Sequence, residues 1–162
     1  EILEIGTHDG FNSLLLSRVF PNGKIDTIDL SENDEDFINF YYRKGSVRKF
    51  IEKRNNYLSK SNNIKFLELN SLKLLNHKKK YDLIIVFKGI FINKKTLIRC
   101  KNFTKNSIWI TIFPDDQFNI NYFSDISNKN VFKTIKYYDY FLIWYKKIVK
   151  KLSNKYSKKK KI

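Results

Sequence analysis

Alanine is absent from this chain of 162 residues, which also holds only five glycines, two prolines and one cysteine. Each scarcity narrows the field. The lone Cys100 has no partner for an internal disulfide, which excludes a disulfide-stapled scaffold and fits a reducing, cytoplasmic setting. No stretch approaches the roughly 20 consecutive apolar residues of a membrane-spanning helix, and no signal peptide is visible. The first residue is not methionine and already sits in a strand-like apolar run, so the chain reads as truncated at its N-terminus. Arginine is scarce as well: of 32 basic residues only Arg18, Arg43, Arg48, Arg54 and Arg99 carry a guanidinium. Proteins that read phosphates and base edges exploit that planar fork. A chain rich in lysine, asparagine and isoleucine is what an AT-rich genome produces. Mutational bias therefore explains the net charge of +16 better than selection for a polyanion, and a nucleic-acid partner is the weaker reading.

What is present suits a packed globule. Hydrophobic residues make up 42% and aromatic residues 16%, enough for one substantial core. Residues 1–5 read as a buried strand, 11–20 as a helix with Leu14, Leu15 and Val19 turned inward, and 24–30 as a second strand. Ser31 and Asn33 are candidate caps for a short helix over 37–42, which Gly45 would break before a second helix marked by Val47, Phe50, Ile51, Tyr57 and Leu58. Further strands are expected over 63–69, 81–87 and 107–113, with a helix over 92–103. Strands separated by helices imply right-handed crossovers and a parallel sheet. The chain's end reads differently: 131–138 and 140–147 look like two strands joined at Asp139, too close for a crossover, and are expected to pair as an antiparallel hairpin. Residues 1–148 thus form one domain, and 149–162, ending in four consecutive lysines at 158–161 and Ile162, form a solvated basic tail.

The most specific chemistry lies at the first strand's end. Leu3-Glu-Ile-Gly-Thr-His-Asp-Gly10 is a strand running into a glycine-bearing turn, and Asp29 closes the next strand nineteen residues after Gly10. Glycine allows close approach of a ligand, the helix start offers free amides, and a carboxylate grips a ribose diol. A dinucleotide turn reads G-x-G-x-x-G; here the pattern is Glu4-x-Gly6-x-His8-x-Gly10. A carboxylate at Glu4 would repel a pyrophosphate and suit a cationic ligand group such as a sulfonium. Thr7 and Asp9 are turn-formers.

These residues resemble the first motif of class I S-adenosylmethionine-dependent methyltransferases, and Phe20-Pro-Asn-Gly-Lys-Ile-Asp-Thr-Ile-Asp-Leu30 is similar to their second strand with its ribose-binding acid. The resemblance implies a Rossmann-like three-layer αβα sandwich, with a seven-stranded, mostly parallel sheet that ends in an antiparallel hairpin. It also implies S-adenosyl-L-methionine held by Glu4, Gly6, Thr7, His8, Gly10, Asp29 and Leu30, with Asn70 and Ser71 at the adenine. Asn70 stands where the family usually has an acid, and His8 where it often has a second glycine. Phe87 stands where metal-dependent O-methyltransferases carry an aspartate, so no metal is expected, although Asp115 and Asp116 follow the fifth strand. The implied reaction is methyl transfer to a hydroxyl of a small or sugar-like acceptor. No residue stands out as the base: His8, Lys88, Asp115 and Asp116 qualify by location alone, and His77 sits in a polar loop. The alternatives are a nucleic-acid methyltransferase or binding protein, and a degenerate, noncatalytic relative.

Overall fold

The computed structural model describes residues 1–42, 46–76, 79–89, 92–113, 131 and 133–143. The fold is α/β, with a six-stranded parallel sheet in the order β3-β2-β1-β4-β5-β6. The chain divides into two compact units, Glu1–Ile84 and Ile85–Ile162.

In the first unit, β1 (Ile2–Ile5) is buried along its whole length, as expected of a strand covered on both faces. It pairs with β2 (Ile25–Asp29), which pairs with β3 (Ile64–Glu68). The crossover from β1 to β2 is α1 (Phe11–Val19); that from β2 to β3 is α2 (Glu35–Tyr42) followed by α3 (Val47–Leu58). Asp34, rather than Ser31 or Asn33, caps α2: its Oδ1 accepts from the Asp36 amide at 3.0 Å, and its carbonyl accepts from Ile38 at 2.9 Å. At the opposite end of the sheet, Asn63 Nδ2 donates to the carbonyls of Phe20 and Gly23, stapling the turn after α1 to the entry of β3. Asp26, buried in β2, accepts from Tyr81 Oη at 2.7 Å and Lys79 Nζ at 2.8 Å, so its charge is matched.

The inward face of α1 is not the expected one. Ser13, Leu16 and Ser17 are buried, whereas Leu15 and Val19 are more than half exposed. The sheet beneath carries Glu4 and Thr27, whose polar atoms need partners, and Ser13 supplies them. Hydrogen bonding thus overrides the apolar periodicity that points to Leu14, Leu15 and Val19.

In the second unit, β5 (Ile108–Phe113) alternates between buried and less buried positions, with Trp109, Thr111 and Phe113 inward. It pairs in parallel with β6 (Tyr140–Ile143), Ile110 opposite Tyr140 and Phe113 opposite Ile143. Asn93 caps α4 (Lys94–Phe103), its Oδ1 accepting from the Thr96 amide at 2.9 Å. Asp139 anchors the start of β6: its amide donates to the Trp109 carbonyl, while its Oδ2 accepts from the Trp109 amide and Lys101 Nζ.

This corrects the expected antiparallel hairpin and seventh strand. Residues 131, 133 and 134 are helical, a 3-10 turn covers Ile135–Tyr137, and the described residues contain six strands. The buried set Val131, Thr134, Ile135 and Tyr138 follows i, i+3, i+4, i+7 spacing, a helical period. Counted from Phe113, the chain has ample length before Tyr140 for the crossover that a parallel pairing demands. Among the described residues no helix is long and apolar enough to cross a membrane.

Candidate functional site

The loop from Gly6 to Gly10 is shaped by alternation. Gly6, His8 and Gly10 all have positive φ, at 95°, 51° and 81°. Three left-handed residues separated by single others fold the chain back on itself within one short turn. The amides of Gly6 and Thr7 both donate to the Ile28 carbonyl, at 3.0 and 3.2 Å, which holds the loop against the end of β2. The left-handed conformation costs a non-glycine residue roughly 1–2 kcal/mol. At His8 two contacts offset it: the His8 amide donates to Asp29 Oδ2 at 2.9 Å, and its ring meets Phe50 of α3 edge-on at 5.3 Å. Asp9 Oδ1 accepts from the Phe11 amide, and its Oδ2 pairs with Lys53 Nζ at 2.8 Å. Partial burial would raise the Asp9 pKa, but the Lys53 ammonium and the Phe11 amide outweigh it and hold the carboxyl below its usual range.

Gly10 stands directly before α1, and a Cβ there would lie 3.0 Å from the Arg54 carbonyl and 3.3 Å from the Leu58 side chain. A Gly10→Ala change therefore meets both an unfavourable φ and a backbone atom. It is expected to lower unfolding free energy by about 1–2 kcal/mol. Urea titration of variant and parent checks this; coincident midpoints would show that the loop does not need glycine at this position.

Asp29 closes β2 and ties three segments together. Its Oδ2 receives the His8 amide, its Oδ1 receives the Leu30 amide, and its carbonyl accepts from Leu69 at 2.9 Å. That last bond brings Asn70 and Ser71 to the same edge, where the Asn70 carbonyl accepts from Lys73 and opens a 3-10 turn over Ser71–Asn76. Burial raises the Asp29 pKa, overcoming the His8 and Leu30 amides and the nearby Arg54 charge. Six of the nine expected residues thus meet at one end of the sheet: Gly6, His8, Gly10 and Asp29 with Leu30 and Asn70, and Ser71 adjoins them.

Glu4 and Thr7 behave differently. Both are fully buried with side chains turned into the layer between the sheet and α1. Glu4 Oε2 accepts from Ser13 Oγ and from Thr27 Oγ1, and Thr27 Oγ1 lies 2.7 Å from Thr7 Oγ1. Burial pushes the Glu4 carboxyl from 4.5 up to about 7, against the lowering effect of the Ser13 and Thr27 hydroxyls. The expectation that Glu4 faces the ligand and repels a pyrophosphate is therefore corrected. Its carboxylate is enclosed by the protein with Oε2 taken by Ser13 and Thr27, because β1 is buried on both faces and leaves it no solvent side.

Sequence reading missed Ser13, Thr27, Phe50, Lys53 and Arg54, all of which touch or support the loop. A signal for Arg54 existed: it interrupts the apolar stripe Val47, Phe50, Leu58 of α3 with a charge, at a spacing that turns it inward. Of the candidate bases, Lys88 follows β4 (Leu83–Phe87) with φ of 64°, its amide donating to the Ile112 carbonyl at 3.0 Å. His77, Asp115, Asp116 and the tail at 149–162 lie outside the described residues. No protein-family model and no curated protein matches the sequence.

Proposed function

We propose that this chain binds S-adenosyl-L-methionine at the Gly6–Gly10 loop and transfers its methyl group to a hydroxyl of a small or sugar-like acceptor. The observation that carries this reading is the loop's conformation. Left-handed residues fall at 6, 8 and 10, the spacing of a three-glycine methyltransferase turn, with His8 in the middle glycine's place. The dinucleotide pattern would instead need glycine at 8 and 11, where His8 and Phe11 stand. In this reading Asp29 accepts from the ribose diol, the backbone around Gly6 to Gly10 borders the methionine moiety, and Asn70 and Ser71 border the adenine. The α/β fold then belongs to a Rossmann-like three-layer sandwich.

Methyl transfer from a sulfonium asks little covalent help, so positioning supplies much of the rate. Titration calorimetry with S-adenosylhomocysteine tests the binding half directly. Millimolar ligand without heat would remove the reading. Asp29→Ala is expected to weaken binding by about 1–3 kcal/mol, the cost of leaving polar ligand groups without partners. An unchanged affinity would mean that the ribose lies elsewhere.

One observation favours a second reading. A parallel sheet ordered β3-β2-β1-β4-β5-β6 is also the order of dinucleotide-binding sheets, and Glu4 no longer argues against a pyrophosphate. NAD in the same calorimeter separates the two: heat with NAD and none with S-adenosylhomocysteine reverses the assignment.

A further inference from the structure

Arg54 carries a problem that the fold does not solve. It is 3% exposed, and its Nε and Nη1 are buried without a hydrogen-bond partner. Native proteins rarely leave such donors idle, because desolvating a charged group without pairing it is costly. Its guanidinium stacks 4.2 Å over the ring of Phe66, which holds the charge but satisfies no N–H.

The neighbours indicate what would satisfy it. Phe66 pairs opposite Thr27, and Asp29 lies two residues further along β2, hence on the same face. The Arg54 charge is felt at Asp29, yet the two form no ion pair; the carboxylate accepts from the His8 and Leu30 amides instead. Around them α3 walls the loop: Phe50 on His8, Lys53 on Asp9, Tyr57 edge-on to Phe11, and the Arg54 carbonyl against Gly10. Asp29 is half-buried and marks the opening of this corner; Arg54 lies deeper.

We propose that Arg54 is a ligand-reading residue whose N–H groups donate to a ribose hydroxyl oxygen, the same hydroxyl giving its proton to Asp29. The proposal rests on the reading that Asp29 holds a ribose. A hydroxyl is both donor and acceptor, so it bridges a carboxylate and a guanidinium that do not touch. A phosphate would satisfy Arg54 but place a second negative charge beside Asp29. The arrangement makes the site selective for an unmodified ribose, a discrimination of the kind that buried polar groups enforce when a substrate hydroxyl is missing.

The test is calorimetry on the full chain with adenosine, 2′-deoxyadenosine, 3′-deoxyadenosine, adenosine 2′-phosphate and S-adenosylhomocysteine, using the parent, Arg54→Gln and Arg54→Lys. The parent is expected to bind adenosine about tenfold more tightly than at least one deoxy analogue, the scale of one orphaned polar contact. Arg54→Gln should lose a similar factor for adenosine and lose the discrimination; Arg54→Lys should recover part of both. The proposal is overturned if Arg54→Gln discriminates as the parent does, as it would were an internal water the true partner. It is equally overturned if the parent ignores both deoxy changes, or prefers the 2′-phosphate. If Arg54→Gln does not fold, the parent's series still overturns the proposal by the two results just named, and Arg54→Lys carries the positive arm: discrimination equal to the parent's would overturn it too. S-adenosylhomocysteine separates the two claims. Hydroxyl-dependent adenosine binding that the Arg54 variants weaken, without binding of S-adenosylhomocysteine, removes the cofactor reading and keeps Arg54, whereas its binding without hydroxyl dependence does the reverse. No binding by any ligand removes both.

Discussion

Glu4→Gln is expected to flatten the protein's stability between pH 5 and 8, where the parent loses about 3 kcal/mol. The cause is the buried carboxyl, held at about 7 in the folded chain against 4.5 for a free one. Between those values the folded protein keeps a proton that the unfolded chain has released. Stability therefore falls as pH rises from about 4.5, and levels off once the folded group has also ionised, above about 7. At about 1.4 kcal/mol per pH unit, the whole window is worth about 3 kcal/mol. Glutamine keeps an oxygen to accept from Ser13 and Thr27 but has no proton to lose. It also buries an amide where Glu4 Oε1 has no partner, a cost of about 1–3 kcal/mol that does not vary with pH. The variant is therefore expected to be less stable than the parent at pH 5 and to close that gap by pH 8. Urea unfolding at a series of pH values reads the slope. Parallel curves for parent and variant would mean that Glu4 does not titrate in this window.

Glu4 also shows where sequence reading stopped. The strand–loop–helix order, the positions of Gly6 and Gly10 and the acid at Asp29 were legible, because backbone chemistry and chain direction dictate them locally. The direction of the Glu4 side chain was not. It depends on Ser13 and Thr27, nine and twenty-three residues away, offering hydroxyls on the same buried face. The same physics hid the inward face of α1, where two serines displace leucine and valine from the interior. At the chain's end, the aromatic-rich run 131–138 satisfied a strand's composition as well as a helix's, and its buried set at four helically spaced positions distinguishes them only after folding. Arg54 went unread although it breaks an apolar stripe, and its meaning needed Phe66 beside it.

The second large effect lies behind the loop. Phe37→Ala is expected to cost about 3–5 kcal/mol, the range for deleting a fully buried aromatic side chain. Phe37 is 1% exposed on α2, and its ring meets Phe50 of α3 at 5.9 Å, tilted by 65°. Phe50 in turn meets His8 edge-on. These three rings connect the helix pair to the left-handed centre of the loop, so the cavity left by alanine opens beside Phe50, the ring that supports His8. The consequence divides into two measurable parts. Urea titration gives the global loss, and amide hydrogen exchange at His8, whose N–H is bonded to Asp29, reports the loop. If the rings buttress the loop, exchange at His8 should accelerate by more than the loss of global stability explains. A conservative Phe37→Leu change should restore most of the stability and leave the loop only partly held, because leucine fills volume without the edge-on contact to Phe50. Exchange at His8 that simply follows global unfolding in both variants would show that Asp29 and the glycines hold the loop without the aromatic wall.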